Sequence, residues 1–375
     1  MRIAILGGGP AGLYFAYLWK MRHPRAEVHL FEQNAADATF GFGVVFSERA
    51  LDFMRQDDSE TADAIMPHMQ TWRDIKLVHA AEEIVIDGVG FSAIGRLELL
   101  QLLQKRGEGA GVSLHYRRQV LSLDELSGFD LIVGADGVNS LVRRSFEGDF
   151  KMSLAYLDNK FIWYGTTQFF DALTQTFLET KLGTFNAHHY RYAPAKSTFI
   201  VECDRGTWLR AGFDGLSPEE TQHALEGVFA ASLGGHTLIS NKSTWRNFPW
   251  IWNERWSFHN MVLVGDALHT AHFSIGSGTR LALEDVIALV KALEAAPGDL
   301  ASGLALYEAN RRAIAEKLVR ASKASAEWYE QFPQHMRLAP LDFAMSYIGR
   351  SGRVDRDRLR AMSPNFMARY DAAHP

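Results

Sequence analysis

The pattern of apolar positions changes character along the chain. Ile3-Ala4-Ile5-Leu6 is a short continuous apolar run that gives way at once to Gly7-Gly8-Gly9-Pro10-Ala11-Gly12, which predicts a buried strand turning tightly into a helix near Pro10. Val28-His29-Leu30-Phe31 predicts a second strand, closed by Glu32. Leu97, Leu99, Leu100, Leu102 and Leu103 recur at helical spacing, so Ile94-Gly95-Arg96 reads as a helix entrance. Residues 281–290, behind Gly276-Ser277-Gly278, are dense in apolar helix formers and predict a mostly buried helix.

Between Lys160 and Asp204 the period shortens. Residues 161–170, 176–180, 186–192 and 197–202 are rich in aromatic and β-branched side chains and separated by turn signals, which predicts a largely antiparallel sheet. A helix follows. Ser217 is its expected N-cap, Pro218 its first residue and Glu220 the partner in a capping box; it should run to Leu233 and end at Gly234-Gly235.

At 375 residues the chain can bury a substantial core as one large or two closely packed domains. A net charge of −5 and a pI near 6.3 supply no basic field, so no nucleic-acid partner is expected. Cys203 is the only cysteine, which excludes an intrachain disulfide and a cysteine-rich metal site; its flanks predict a buried, inert strand residue. Glu284, Asp285 and Lys291 interrupt the apolar run 281–293, so no membrane span is expected. With a fold-forming strand at the start of the sequence and no export pattern, the expected setting is the cytoplasm.

Three separated segments carry the chemistry. Gly7-x-Gly9-x-x-Gly12 has the dinucleotide spacing: Gly7 permits the turn, Gly9 lets a pyrophosphate approach the backbone, and Gly12 allows close helix–strand packing. Glu32 falls 20 residues beyond Gly12, where a carboxylate can bind a ribose hydroxyl pair. The second segment is Asp136-Gly137-Val138-Asn139-Ser140, with Arg143 shortly after, and the third is Gly265-Asp266-Ala267. Either alone is compatible with a strand ending in a solvated Asp turn. Together, and in this order, they resemble the motifs of the single-component flavoprotein aromatic hydroxylases.

That resemblance implies an α/β fold: a Rossmann-like FAD-binding domain with an inserted, largely antiparallel β-sheet substrate domain and C-terminal helices. The expected boundaries are 1–155 with 255–330 for the FAD-binding domain, 156–254 for the substrate domain and 331–375 for the helical end, with part of 41–90 at the substrate cavity. Non-covalent FAD is expected on Gly7, Gly9, Pro10, Ala11, Gly12, Glu32, Arg96, Asp136, Gly265, Asp266, Gly276 and Gly278. Arg96 at its helix entrance points to the pyrophosphate by resemblance; the plainer reading is an exposed arginine. The family's proline near Phe273-Ser274 is missing here. NADH or NADPH as reductant, O2 as co-substrate, a C4a-hydroperoxyflavin and no metal are further implications.

Gly41-Phe42-Gly43-Val44-Val45-Phe46-Ser47, residues 159–166, residues 197–203 and residues 265–279 are similar to the salicylyl-CoA 5-hydroxylase branch of that family. They also resemble the flavin domain of anthraniloyl-CoA monooxygenase and, more distantly, hydroxylases of indole-derived pigment precursors. An aromatic CoA thioester is therefore the leading substrate expectation. A free aromatic or indole-derived substrate and a non-hydroxylating flavin-binding partner protein are the alternatives.

Candidate catalytic residues are His188, His189, His269 and His272. His188 and His189 are neighbours on one strand, so at most one faces the cavity; His269 and His272 follow Asp266 closely. His188 and His189 are each equally readable as structural histidines; for His269 and His272 a helix-start or loop role is the plainer reading, and proximity to the flavin raises both as candidates to steer a phenol proton. Trp163, Tyr164, Trp245 and Phe248 are candidate ring contacts, although the cluster 245–250 reads first as interdomain core. Arg350, Arg353, Arg356, Arg358 and Arg360 read as a solvated helix face that CoA phosphates could use in part.

Overall fold

A computed structural model describes residues 1–47 and 52–374 of the chain. Positions 48–51 fall inside the 41–90 segment expected near the cavity and lie outside the described residues. A six-stranded sheet has the order Ser257–Phe258, Met261–Leu263, Leu131–Gly134, Arg2–Leu6, Glu27–Glu32, Ser113–Tyr116. Its pairings are parallel except for the Ser257–Phe258 edge. The register sets Leu6 and Leu263 on either side of Gly134. All three motif segments therefore leave the sheet side by side at the carboxyl ends of its strands, where open α/β sheets bind ligands. Helices Pro10–Arg22, Gly278–Ala295 and Leu300–Glu330 cover the sheet and share one apolar core with it.

A larger sheet runs Leu238–Ile239, Met152–Thr166, Lys196–Cys203, Gly183–Ala193, Leu173–Thr180, Ile75–His79, Glu82–Ile86, with Arg246–Asn253 also paired to Met152–Thr166. The antiparallel expectation holds from Met152 to Cys203. One seam of the sheet is parallel, where Leu173–Thr180 pairs with Ile75–His79. The Ile75–Ile86 hairpin comes from the earlier segment and extends this sheet by two strands, a long-range pairing that local pattern does not encode. A three-stranded sheet of Gly43–Ser47, Phe91–Gly95 and Gln70–Trp72 stands beside it.

Ser217 and Glu220 form the expected capping box, but the helix stops at Val228 and resumes as a short turn, Ala230–Leu233, capped by left-handed Gly234. The interruption falls at Phe229, whose fully buried ring packs edge-on against Phe185 and Phe199. Helices Phe332–His335, Pro340–Gly349, Arg356–Met362 and Pro364–Ala373 form the C-terminal end and share a second apolar core with the Ile75–Ile86 hairpin. Asp87 fastens them: its carboxylate accepts from the backbone N–H groups of Asn365 and Phe366, at 3.2 and 2.9 Å, at the start of the last helix. Among the described residues, no helix is long and apolar enough to cross a membrane.

Candidate active site

The three glycines of the first motif do three different jobs. Gly7 has φ 102°, and a Cβ there would lie 2.3 Å from the Ala135 carbonyl oxygen. A Cβ on Gly12 would lie 2.0 Å from the Gly7 carbonyl oxygen, so the helix can approach its strand only without one. A Cβ on Gly9 would meet nothing within 4 Å. Gly9 instead opens on a cavity of about 340 Å³.

One wall of that cavity is built from the motif segments. Gly9, Pro10 and Ala11 lie beside Ala135, Gly137 and Asp266, and Arg96 projects from the first turn of its helix. Gly276 and Gly278 line the entrance to Gly278–Ala295, whose first backbone N–H groups lack intrahelical partners. Arg143, buried, donates to the Ala267 carbonyl at 2.8 Å and to the Val138 carbonyl, tying the second motif to the third.

The residues present fit a flavin dinucleotide. Asp136 Oδ2 accepts from Leu141 N at 2.6 Å while Oδ1 is buried without a protein partner. Burial pushes its carboxyl up against the hydrogen bonds that pull it down. Asp266 is enclosed deep in the molecule yet its side chain is exposed, because it opens onto the cavity. Burial raises its carboxyl, opposed by Arg96, His269 and Arg143. Arg96 is likewise desolvated and held lower than a free guanidinium, with Asp266 countering. An accessible carboxylate, a guanidinium and a glycine with open space line the cavity and are groups that ribityl hydroxyls and a pyrophosphate need; Asp136, with its unpaired acceptor, lies just behind the lining, between Ala135 and Gly137. Glu32 stands apart from the lining: Oε2 accepts from Gly8 N at 2.7 Å, and Oε1 from Asn34 N and Nδ2 at 2.8 and 2.7 Å. Gly7, Gly12 and Gly265 shape the turns without lining the cavity.

The opposite wall is one row of the larger sheet. Trp163 pairs with Ile200, Ile200 with His188, and His188 with Gln175, so all four side chains share a face, and all four line the cavity. The adjacent row, Tyr164, Phe199 and His189, faces the other way. That alternation corrects two sequence candidates. Tyr164 is buried in a separate apolar cluster, and His189 stacks on Phe199 with its Nε2 2.9 Å from Thr176 Oγ1. Trp245 is corrected too: it packs on Phe213, 5.0 Å between ring centroids, away from the cavity. Phe248 does line it, with Phe161 and Phe273 close by.

Of the four histidines, only His188 lines the cavity. His269 is packed between Trp252 and Trp256 with Nε2 3.1 Å from Asp285 Oδ2. His272 is buried behind Phe273 and Phe248. Burial, then the nearby Arg350, lowers His188 to about 3; burial lowers His272 to about 4.

Sequence reasoning missed Gln175 and misread Arg350. Arg350 belongs to the cavity lining, donating to the Ser274 carbonyl at 2.8 Å, the Tyr347 carbonyl at 2.7 Å and Ser325 Oγ at 3.0 Å, and lying 3.8 Å over the Tyr347 ring. Its neighbours Arg353, Arg356, Arg358 and Arg360 are exposed, as the charge pattern suggested.

Fold and site together define a flavin enzyme, and the chain belongs to the FAD-dependent aromatic monooxygenases. The family model for the FAD binding domain matches residues 124–322. Over 381 aligned residues the chain is 40% identical to the salicyloyl-CoA 5-hydroxylase of a Streptomyces species, covering 99% of this chain and 73% of that protein. It is 36% identical to the 3-hydroxy-4-methyl-anthranilyl-[aryl-carrier protein] 5-monooxygenase of Streptosporangium sibiricum, over 89% of this chain and 90% of that one. Among solved structures, a variant of 2-methyl-3-hydroxypyridine-5-carboxylic acid oxygenase superposes with a TM-score of 0.72 at 17% identity, covering 98% and 97% of the two chains. At that identity the likeness is one of fold.

Proposed function

We propose that this monooxygenase hydroxylates the ring of an aromatic acyl-CoA, first of all salicylyl-CoA to gentisyl-CoA, with NADH or NADPH as reductant and O2 as co-substrate. The observation that carries the reading is the 40% identity, along 99% of this chain, to a salicyloyl-CoA 5-hydroxylase. Bound FAD would take electrons from the nicotinamide and deliver one oxygen atom of O2 to an electron-rich ring carbon. Gly9, Arg96, Asp136 and Asp266 would hold the cofactor, and the N-terminus of Gly278–Ala295 would stabilise negative charge on its reduced ring.

The chain's other task is to place the substrate ring and keep water away. Trp163, Phe161, Phe248 and Phe273 supply apolar surface on the far wall, and Ile75, Val89 and Phe91 continue it. Arg350 brings a positive charge to this wall, suited to a ring oxygen that gains electron density. The attacked position is para to the salicylyl hydroxyl, because that hydroxyl donates density there. A second reading, an aryl thioester on a carrier protein, is favoured by the likeness to the Streptosporangium sibiricum enzyme.

Competition separates these. FAD-loaded protein is given salicylyl-CoA, anthraniloyl-CoA, a carrier-protein salicylyl thioester and free salicylate, and kcat/KM is compared. Salicylyl-CoA should lead, since remote contacts to the thioester tail supply orienting binding energy that free salicylate lacks. A higher value for free salicylate would remove the thioester assignment.

A further inference from the structure

A buried acid–base couple begins in the aromatic wall at His188 and reaches behind it, outside the residues assigned to the cofactor. Glu202 follows the cavity-lining Ile200 by two positions on its strand and is 2% exposed. Its Oε1 accepts from Asn159 Nδ2 at 2.9 Å; its Oε2 has no hydrogen-bond partner and lies 3.5 Å from His188 Nε2, which also has none. The other ring nitrogen, His188 Nδ1, is 3.0 Å from Gln175 Nε2. Gln175 Oε1 accepts from the Tyr329 hydroxyl at 3.1 Å, so the amide nitrogen is the end offered to His188. In this arrangement Nδ1 is an acceptor and Nε2 carries the proton, 3.5 Å from Glu202 Oε2 and not yet hydrogen-bonded to it. Tyr329 stacks on the ring, 4.9 Å between centroids, and Phe273 meets it edge-on at 5.2 Å, fixing its plane.

We propose that His188 and Glu202 are a general-base couple that removes the proton from a hydroxyl on the substrate ring. It rests on the ring-hydroxylation reading above. The ring oxygen takes the place of the Gln175 amide at Nδ1. The substrate O–H bond and the His188 Nε2–H bond break; an Nδ1–H bond and an Oε2–H bond on Glu202 form. The negative charge leaves Glu202 and ends on the ring oxygen, facing Arg350, so one proton has moved at each end and no oxidant is needed. The ionised oxygen then donates more density to the ring carbon to be oxidised.

Burial explains why the imidazole relays instead of storing the proton: it disfavours imidazolium at His188 and at the same time raises the Glu202 carboxyl, which makes it a better acceptor. The charged and titratable groups around the couple are His189 and Cys203 on its own strands, His272 from the loop after Met261–Leu263, Tyr329 and Glu330 from Leu300–Glu330, and Arg350 after Pro340–Gly349. His272 favours the ionised carboxylate, and Arg350 opposes a charged His188.

Difference infrared spectroscopy on the FAD-bound protein tests this without turnover. Salicylyl-CoA, with free salicylate in parallel, is added until the flavin absorbance change saturates, and benzoyl-CoA serves as the ligand lacking the hydroxyl. A protonated-carboxyl carbonyl band should appear with a hydroxyl-bearing ligand, be missing in E202Q and H188Q, and be missing with benzoyl-CoA. In turnover, E202Q should lose roughly 100-fold or more in kcat with little change in KM, and recover activity as pH rises and the ring hydroxyl ionises unaided. E202D, which keeps a carboxylate, should recover part of the loss. No band with either hydroxyl-bearing ligand, the same band with benzoyl-CoA, or a wild-type pH profile in folded, FAD-loaded E202Q overturns the couple. The expected bands without any hydroxylated product leave the couple standing and remove the hydroxylase reading.

Discussion

His269 and Asp285 are a buried pair, with Nε2 and Oδ2 3.1 Å apart, that pins the segment presenting Asp266 to the helix behind it. The same Asp285 oxygen accepts from Gly265 N at 3.2 Å, and its Oδ1 accepts from Arg311 Nε at 2.9 Å. A histidine beside the flavin motif is thus accounted for by positioning. Glu284 and Asp285, which break the apolar run of their helix, do so to meet Arg311.

Asp285→Asn should therefore lower stability by roughly 3 kcal/mol, the low end for breaking a buried pair, because Glu284 stays beside Arg311. Burial alone would raise the Asp285 carboxyl, but His269 and Arg311 outweigh it and hold it below the ordinary aspartate value. A depressed folded pKa gives stability that is complete above the unfolded value of about 3.9 and lost as pH falls through the folded one. Urea unfolding should show the full penalty at neutral pH and a shrinking one in acid; a penalty independent of pH would contradict the pairing.

Gly9 and Gly12 should respond in opposite ways. Gly12→Ala forces a Cβ against the Gly7 carbonyl and should cost the fold about 1–3 kcal/mol or more. The Cβ of Gly9→Val meets no protein atom within 4 Å, so thermal unfolding without FAD should be near wild type while FAD affinity falls. Normal flavin binding in Gly9→Val would place the pyrophosphate elsewhere.

Asp266→Ala should weaken FAD binding by roughly 1–3 kcal/mol through loss of a buried hydrogen bond. Flavin fluorescence titration of the folded variant measures it. Unchanged affinity would make Asp266 a bystander at the cavity floor.

Arg350→Gln removes charge-assisted hydrogen bonds to the Ser274 and Tyr347 carbonyls, worth roughly 1.5–3 kcal/mol for a charged group. Limited proteolysis should cut earlier within the C-terminal helices, and KM for the aromatic substrate should rise. A variant with wild-type proteolysis and KM would return Arg350 to the solvated role its neighbours have.

The wall that carries the glycine and aspartate motifs was legible because its signals are local. Gly7, Gly9 and Gly12 announce a turn whose geometry their own spacing dictates, and Asp136 and Asp266 each sit just past a strand end. The substrate side is written in sheet register. Trp163, Ile200, His188 and Gln175 become one row only through three strand pairings, and nothing in any one strand says that Trp163 faces the cavity while Tyr164 does not. Alternation did foretell that His188 and His189 would part. The parallel seam between Leu173–Thr180 and Ile75–His79, and the return of Arg350 to the cavity, depend on contacts distant in sequence and left no periodic trace.

The most direct measurement uses isotopically heavy O2. FAD-loaded protein, NADH or NADPH and salicylyl-CoA are incubated under the labelled gas, and the thioester product is weighed and fragmented. The expected product carries one heavy oxygen on the ring, para to the original hydroxyl, with the thioester intact. Nicotinamide oxidation that yields only peroxide across the whole thioester and free-acid panel would contradict ring hydroxylation by this chain.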